Sequence, residues 1–339
     1  MATSYKYFGR YYHLVIEQDG KDGKKKELLN AETLPGKPAL DIKFSTSYPR
    51  GAGLNARQGE ISVLGLSFET MTKITRLAAL DKGRALSERI RVKLDAGYFS
   101  SAGWSSIFDG IIWNASLTSP PEMWLNMQVS EINPFGPKLL EEEDIKKGKR
   151  SPLKERYESI VALMNDIALY YGEKEGIDLR FQDMRKDKSI GNGLKGFPTP
   201  TELNSCSLKE ALTFLSGNLA SNWMFLLTRA SGGTSGKMAR VIEGYAKDDN
   251  TQYDSRNIIV DADHGLLSVS GISVVGGEVT TFLNKSSDAI SHLILTSKLN
   301  PHANGRYFIL NTTHKGHYEG NEWYTTYNCT AREKIPQKK

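Results

Sequence analysis

The sequence predicts an α+β protein, mainly β, in which two antiparallel β units flank a small α+β segment. Three observations lead to this prediction. Apolar and polar residues alternate over most of residues 1–132, the apolar period becomes helical within residues 152–256, and alternation returns within residues 257–335. A chain of 339 residues is long enough for two or three domains, each with its own core.

The first unit, residues 1–132, is predicted to be a closed or nearly closed barrel. Its one helix is predicted at residues 69–81, where Met71, Ile74 and Leu77 recur at helical spacing against the sheet. Several strands and a single helix in a stretch of this length are typical of a barrel. The strands are predicted at residues 7–17, 40–47, 59–68, 89–96, 107–116 and 123–132.

Residues 133–151 interrupt this pattern and predict a solvated linker at a domain boundary. The sequence Asn-Pro-Phe-Gly-Pro is followed by an acidic run at residues 141–144 and a basic run at residues 146–150.

The middle segment is predicted to be a small α+β domain. Ser151 as N-cap, Pro152 as first helical residue and Gly172 as the stop define its first helix. Ser207 and Glu210 form a capping box that opens the second helix. Strands are predicted at residues 177–181, 223–227 and 239–245.

The last unit, residues 257–335, is predicted to be a second barrel, to which the linker region can contribute strands. It ends in a β-hairpin, because residues 322–331 alternate strictly between an apolar and a polar face. Its strands are predicted at residues 257–260, 265–275, 279–283, 291–295, 306–310 and 322–331.

Within this hairpin, His314 and His317 raise the question of a metal or acid–base site. A zinc site needs a third and a fourth ligand, and the helical HExxH spacing is absent. Gly316 and Gly320 supply the backbone freedom that a tight connection needs. We therefore predict that the two histidines lie in a structural turn that joins two strands.

Other segments that suggest chemistry fail on spacing. Residues 231–237, Ser-Gly-Gly-Thr-Ser-Gly-Lys, lack the first glycine and the final hydroxyl of a phosphate loop, so they predict a hairpin tip. Asp261, Asp263 and His264 lack the further acidic positions of a calcium loop and predict a turn. No nucleophile elbow or cofactor signature is present. The sequence therefore predicts no catalytic, cofactor or metal site, and a role that is not enzymatic.

Composition and charge narrow the class of protein further. The net charge of +5 includes basic runs at residues 21–26, 146–150 and 334–339. We interpret these basic runs as solvated loops. The alternative is contact with nucleic acid, which is disfavoured because no aromatic residues that could stack on bases are interleaved with the runs. Two cysteines, Cys206 and Cys329, indicate no disulfide framework. No signal peptide or membrane segment is visible, so folding in a cytoplasm is expected.

The order of these pieces resembles the baseplate hub proteins of contractile phage tails, a family that includes late-control tail proteins and the hub part of VgrG spikes. The first unit agrees, because residues 107–112 fit an "apolar-F-x-G-x-I" pattern that follows a strand. The closing hairpin agrees in three short motifs, "G-x-Y", "T-H-x-G" and "W-Y-T". The positions that fill them are Gly305, Tyr307, Thr313, His314, Gly316, Trp323, Tyr324 and Thr325.

The resemblance implies two tail-tube-like barrels per chain and a homotrimer that forms a pseudo-sixfold ring. Such a ring joins a sixfold tail tube, or a distal tail protein, above to a threefold spike or tip protein below. The tape-measure protein or DNA are candidate occupants of its lumen. The implied location is the tail baseplate of a virion, after assembly in the host cytoplasm. Because no spike or lysozyme module follows the second barrel, we expect these to be separate proteins.

Two other functions stay open at this stage. One is a cell-wall or polysaccharide hydrolase, and the other is a carbohydrate-binding β protein of the tail. The second would line a groove with aromatic side chains, for which the candidates are Tyr5, Tyr7, Tyr11, Trp104 and Trp113.

Overall fold

The computed structural model describes residues 9–19, 25–49, 54–79, 89–100, 102–133, 136–185, 196–218, 223–229, 238–246, 257–273, 276–283 and 292–333. The strands of the first unit are β1 (Arg10–Asp19), β2 (Lys25–Glu32), β3 (Asp41–Pro49), β4 (Leu54–Asn55), β5 (Gln58–Leu64), β6 (Ile90–Tyr98), β7 (Trp104–Leu117) and β8 (Trp124–Ser130). The middle strands are β9 (Arg156–Tyr157), β10 (Asp178–Asp183), β11 (Phe197–Pro198), β12 (Trp223–Arg229) and β13 (Ala239–Ala246).

The last strands are β14 (Asn257–Val260), β15 (Leu266–Ser273), β16 (Gly276–Phe282), β17 (His292–Leu295), β18 (Gly305–His317) and β19 (Trp323–Glu333). The helices are α1 (Phe68–Ala79), α2 (Glu142–Lys146), α3 (Ile160–Glu175) and α4 (Leu208–Gly217). No helix in the described ranges is long and apolar enough to cross a membrane.

One large sheet contains most of the strands, so the prediction of a mainly β protein is confirmed. Its main order is β15-β16-β19-β18-β3-β5-β8-β7-β6-β1-β2, and all pairs along this path are antiparallel. β17 pairs with β18 as well, and β14 joins β17 in parallel.

The two predicted β units are continuous within this sheet. β18 pairs with β3 from Asn311 opposite Pro49 to His317 opposite Lys43. Two strands almost at opposite ends of the chain therefore share one hydrogen-bonded ladder. The sequence predicts both strands but not their pairing.

The cores follow the same organisation. One apolar cluster fills the first unit and includes Ile74 of α1, and a second cluster around Tyr307 and Tyr327 fills the last unit. Leu283 and Trp323 are exceptions, because these two residues of the last unit pack in the cluster of the first unit. The closing hairpin thus contributes to both cores.

The middle segment has its own core and a small sheet in the order β10-β13-β12-β4. β4 comes from the first unit and pairs in parallel with β12. The amide of Asn55 donates a hydrogen bond to the carbonyl oxygen of Phe225 at 3.0 Å, which fixes this junction. Buried amides and carbonyls need such partners.

The predicted start and end of the first middle helix are wrong. α3 begins at Ile160 after the N-cap Ser159 and ends before Gly176, whose φ of 65° is left-handed. The helix starts late because Tyr157 is held in β9, which pairs with β11. Gly172 lies inside the helix, where a Cβ would come within 3.1 Å of the Leu179 side chain. This glycine permits close helix–strand packing and does not stop the helix.

Two other helix predictions are confirmed, whereas one strand and one short helix were not predicted. The capping box of Ser207 and Glu210 is confirmed, since the Glu210 carboxylate accepts from the Ser207 backbone N–H at 2.8 Å. The helix of the first unit is confirmed at Phe68–Ala79. β2 was not predicted, because its charged sequence KKELLNAE resembles a solvated loop. The predicted linker contains the short α2, which buries none of its residues. The predicted tip at residues 231–237 lies outside the described ranges.

Candidate assembly site at the closing hairpin

The closing hairpin consists of β18 and β19 and a short connection at residues 318–322. β18 continues as far as His317 because it pairs with β3 over that length. His314 and His317 therefore lie in a strand, and the prediction that they form the turn is wrong. The connection itself starts one residue after His317.

The eight positions that carry the family resemblance come together in this hairpin. Gly316 lies opposite Trp323, and His314 lies opposite Thr325. Thr313 and Tyr324 point to the other, polar face of the sheet and are partly exposed. The buried members of the set are Gly305, Tyr307, His314, Gly316, Trp323 and Thr325.

Trp323 connects the hairpin to the first unit. Its indole Nε1 donates to the carbonyl oxygen of Gly97 at 3.0 Å, and the Tyr98 hydroxyl donates to the Trp323 carbonyl oxygen at 3.2 Å. The Phe44 ring meets the indole edge to face, with centroids 5.4 Å apart. Such aromatic pairs add to the free energy gained from burial.

Gly316 is required by the same packing. A Cβ at this position would lie 2.2 Å from the Phe44 ring and 2.9 Å from the Trp323 ring. No ordinary side chain fits that gap. The "T-H-x-G" and "W-Y-T" motifs are therefore coupled in space, because the glycine of one makes room for the tryptophan of the other.

His314 takes part in a buried polar row. Its Nδ1 lies 2.9 Å from the Thr325 hydroxyl oxygen, and its side chain is almost completely buried. Strand alternation places His314 on the core side of β18, together with Thr312 and Gly316. The row crosses four neighbouring strands at Thr281, Thr325, His314 and Thr46.

The connection at residues 318–322 is held by two charged side chains. Arg10 Nη1 donates to the carbonyl oxygens of His317 and Tyr318, both at 2.8 Å, and to that of Gly320 at 2.5 Å. Asp41 accepts from the Glu319 backbone N–H at 3.2 Å, and its other oxygen lies 3.0 Å from His317 Nε2. The first unit thereby fixes the tip of the last hairpin.

The outer face of the same sheet is rich in hydroxyl and amide groups. One uncharged row runs across five strands and leads into an open groove of about 380 Å³. The row consists of Thr280, Thr326, Thr313, Ser47 and Gln58. The groove is lined by Ser45, Ser47, Gln58, Gly59, Glu60, Trp113, Gln128 and Val129. The row can hydrogen-bond a partner through these groups and carries no charge of its own.

Tyr324 of the hairpin and the two cysteines of the chain have raised pKa values. Burial, followed by the nearby Glu322, raises the pKa of Tyr324. Burial raises the pKa of the Cys206 thiol, and it raises that of Cys329 to about 12. Both thiols are therefore protonated at neutral pH and poor nucleophiles. The described residues contain no cluster of three His, Cys, Asp or Glu side chains that could hold a metal.

The Asp261 turn is a local structure. The Asp261 carboxylate accepts from the backbone N–H groups of Asp263 and His264 at 2.9 and 2.8 Å, and it lies 2.7 Å from His264 Nδ1. Burial acts to raise the pKa of Asp261, but these hydrogen bonds outweigh it and lower the pKa. The turn precedes β15, as the sequence predicts.

The three described aromatic candidates for carbohydrate binding, Tyr11, Trp104 and Trp113, lie in two separate places. Trp104 is 51% exposed and lies against Tyr11, with ring centroids 5.1 Å apart. Trp113 lies further along β7, on the order of 30 Å away for an extended strand. Tyr5 and Tyr7 are outside the described ranges. Among the described candidates, Trp104 and Trp113 are therefore too far apart to line one groove.

Comparison with known proteins finds solved structures with a similar fold. Neither a protein-family model nor a curated protein matches the sequence. Among solved structures, this chain is similar to the tail protein from Neisseria meningitidis MC58, with a TM-score of 0.50 and 7% identity. The matched region covers 96% of this chain and 97% of that tail protein. This chain is also similar to a chain of the lidless PdpA–VgrG complex, with a TM-score of 0.51 and 10% identity. That match covers 98% of this chain and 67% of the matched chain.

The chain has the fold of these tail and VgrG proteins. The half-lidded Francisella PdpA–VgrG complex agrees, with a TM-score of 0.50 and 9% identity over 98% of this chain and 60% of the matched one. The resemblance to hub proteins that the sequence predicts is thus confirmed for the fold.

The residues of the first unit that hold the closing hairpin could not be anticipated from the motifs. Arg10, Asp41 and Gly97 hold the hairpin, yet each lies more than 200 residues away from it in sequence. The sequence around each of these residues alternates as a strand does, but this alternation does not indicate which distant segment the residue contacts. In contrast, the Gly316 and Trp323 pair was visible as a motif.

Proposed function

We propose that this protein is a structural, non-enzymatic baseplate hub of a phage-like contractile tail. The observation that carries the proposal is the shared fold over nearly the whole chain with a tail protein and with VgrG. The closing hairpin supports it, because Trp323 and Arg10 join the last unit firmly to the first. Two rigidly joined β units are suited to load-bearing.

The proposed architecture has two tail-tube-like barrels, residues 1–132 and 257–335. A linker at residues 133–151 and an α+β domain at residues 152–256 lie between them. Three chains would form a closed ring that presents six similar barrels on one side and threefold symmetry on the other. Closed symmetric rings form when one interface repeats around an axis. The ring would connect a hexameric tail tube to a trimeric spike.

The proposed partners follow from this position. They are two further copies of the chain, the tail tube or a distal tail protein above, and a spike or tip protein below. The proposed location is the tail baseplate of the virion, with assembly in the host cytoplasm. The uncharged row from Thr280 to Gln58 is suited to a channel wall, because hydroxyl and amide groups offer little charge to retain DNA or a tape-measure protein during ejection.

The deciding experiment is the solution mass of the purified chain, measured by native mass spectrometry and light scattering and combined with class averages from electron microscopy. We expect three times the chain mass of 37.7 kDa and a ring with pseudo-sixfold views. The measurement should be repeated over a hundredfold concentration range and with the co-expressed spike protein. A chain that stays monomeric in every condition would contradict the proposal.

A carbohydrate-binding role is the second candidate, and the groove with Trp113, Gln58 and Gln128 favours it. Sugars bind where an aromatic face lies beside a few amide and carboxylate groups. A panel of cell-wall glycans tests this role. Saturable binding that is lost in Trp113→Ala and kept in Trp104→Ala would support it, and no binding by the native chain would exclude it.

A further inference from the structure

A second pocket lies on the first unit, away from the closing hairpin. It has a volume of about 260 Å³ and opens on the face of the sheet where β2, β1, β6 and β7 run side by side. Its lining combines cations and carboxylates with the edges of two valines. The lining residues are Val15, Glu17, Lys25, Arg91, Val92, Lys93 and Asp109.

Arg91 is the central side chain of this pocket. It lies on β6 between Glu17 of β1 and Ile111 of β7, and its side chain is only 16% exposed. Its nearest ion-pair contact, from Nη2 to Asp109 Oδ1, is 3.8 Å long, which exceeds hydrogen-bonding distance. Its Nε is buried and has no acceptor among the described residues. A buried guanidinium donor without an acceptor is costly, so this group is suited to a ligand.

Each carboxylate of the pocket lies near at least one cation. Asp109 also faces Arg240 at 3.6 Å, and Glu17 pairs with Lys25 at 3.0 Å. Lys93 pairs with the almost fully buried Asp95 at 2.9 Å.

The pocket lining contains three cations and two carboxylates, which leaves an excess of one positive charge. In a concave, partly desolvated site such an excess attracts an anion more strongly than on an open surface.

We propose that this pocket binds one oxyanion group, a carboxylate or a phosphate, with Arg91 as its main donor and Lys93 and Lys25 beside it. A guanidinium donates two parallel hydrogen bonds to such a group. The oxyanion comes either from a free ion in solution or from an acidic side chain of a neighbouring polypeptide. The inference does not depend on the proposed hub function, since it needs neither a trimer nor a tail.

The test is calorimetric titration of the full chain with sodium phosphate, at constant ionic strength so that general screening does not change. We expect one saturable site with a dissociation constant on the order of 1 mM. Arg91→Met should weaken binding about ten- to hundredfold, the value of one charge-assisted hydrogen bond. The matched control is Arg76→Met, which removes an exposed arginine from the last turn of α1 and should bind as the native chain does.

Two further arms make the result unambiguous. If circular dichroism shows that Arg91→Met is unfolded, Lys93→Met replaces it, since that side chain is half exposed, and it should weaken binding several-fold. Titration with acetate and with a short glutamate peptide separates the sources. A peptide that binds more than tenfold tighter than acetate assigns the site to a polypeptide, and equal affinity assigns it to a free ion. The absence of saturable phosphate binding, or equal binding by Arg91→Met and the native chain, would overturn the proposal.

Discussion

The indole Nε1 of Trp323 donates a hydrogen bond of 3.0 Å to the carbonyl oxygen of Gly97, 226 residues earlier in the chain. This contact joins the last β-hairpin to the first β unit, and the Phe44 ring packs against the same indole.

Trp323→Ala should lower the free energy of unfolding by about 3–5 kcal/mol, because a large buried side chain leaves a cavity. Trp323→Phe keeps most of the volume and loses the hydrogen bond to Gly97, so it should cost about 1–3 kcal/mol. Urea denaturation followed by circular dichroism measures both. Equal stability of the native chain and Trp323→Ala would show that the indole does not hold the hairpin.

Gly316→Ala should destabilise the hairpin, since the added Cβ would meet the Phe44 ring at 2.2 Å. Overpacking of this kind costs about 1–3 kcal/mol. Gly217→Ala is the control, because no described atom beyond the neighbouring helix backbone lies within 4 Å of the Cβ position, and alanine favours the helix. Thermal unfolding should show a lower midpoint for the first variant and an unchanged or higher one for the second.

Arg10→Met should loosen the connection at residues 318–322, because three carbonyl oxygens lose their guanidinium donor. Amide hydrogen exchange of this segment should accelerate at least tenfold, which corresponds to the loss of about 1.5–3 kcal/mol. Exchange in α3, which lies in the middle segment, serves as the internal reference. Uniform acceleration across the chain would instead indicate global destabilisation.

His317→Ala should leave folding and assembly nearly unchanged. Its side chain is 26% exposed, and its contact with Asp41 is a partly solvated pair worth about 1 kcal/mol or less. His314→Ala should cost more, because it opens a buried site and removes the partner of the Thr325 hydroxyl. Denaturation with and without a chelator measures both. A chelator-sensitive loss of structure that disappears in His317→Ala would reveal a metal site.

The buried Cys329 predicts a loss of stability in alkali. Burial raises its pKa from 9.0 to about 12 in the folded state. Below pH 9 the thiol is protonated in both the folded and the unfolded state, so it does not change the free energy of unfolding with pH. Between pH 9 and 12 only the unfolded chain releases the thiol proton. Stability should therefore fall as pH rises through this window, by about 1.4 kcal/mol for each pH unit.

Cys329→Ala should reduce this slope by the contribution of one proton, and denaturation midpoints at pH 8, 9.5 and 11 measure it. An alkylating reagent at pH 8 gives an independent check, since it should label the partly exposed Cys206 before the buried Cys329. Equal labelling rates in the folded chain would contradict the burial of Cys329.

The sequence predicts those parts of the fold that depend on neighbours along the chain. The alternation from Trp323 to Cys329 predicts a strand with one buried face, and the capping box at Ser207 predicts the start of α4. Both signals are local, because period and capping need only a few adjacent residues.

The parts that could not be predicted depend on contacts between distant segments. The burial of His314 follows from the pairing of β18 with β3, and no local pattern announces that pairing. The late start of α3 has a similar origin, because β11 captures Tyr157. Arg91 was unremarkable as one charge in an alternating strand, and only the pocket gives it a candidate role.

The continuous ladder between β3 and β18 also determines when the molecule can finish folding. During synthesis the first unit leaves the ribosome long before residues 305–333, so its sheet edge at β3 and the site for the Trp323 indole must wait until those residues have been made. Pairing between segments this far apart is slow to form. A nascent chain is therefore incomplete in both β units until its last hairpin emerges, and a truncated product would expose an unpaired strand edge that invites aggregation.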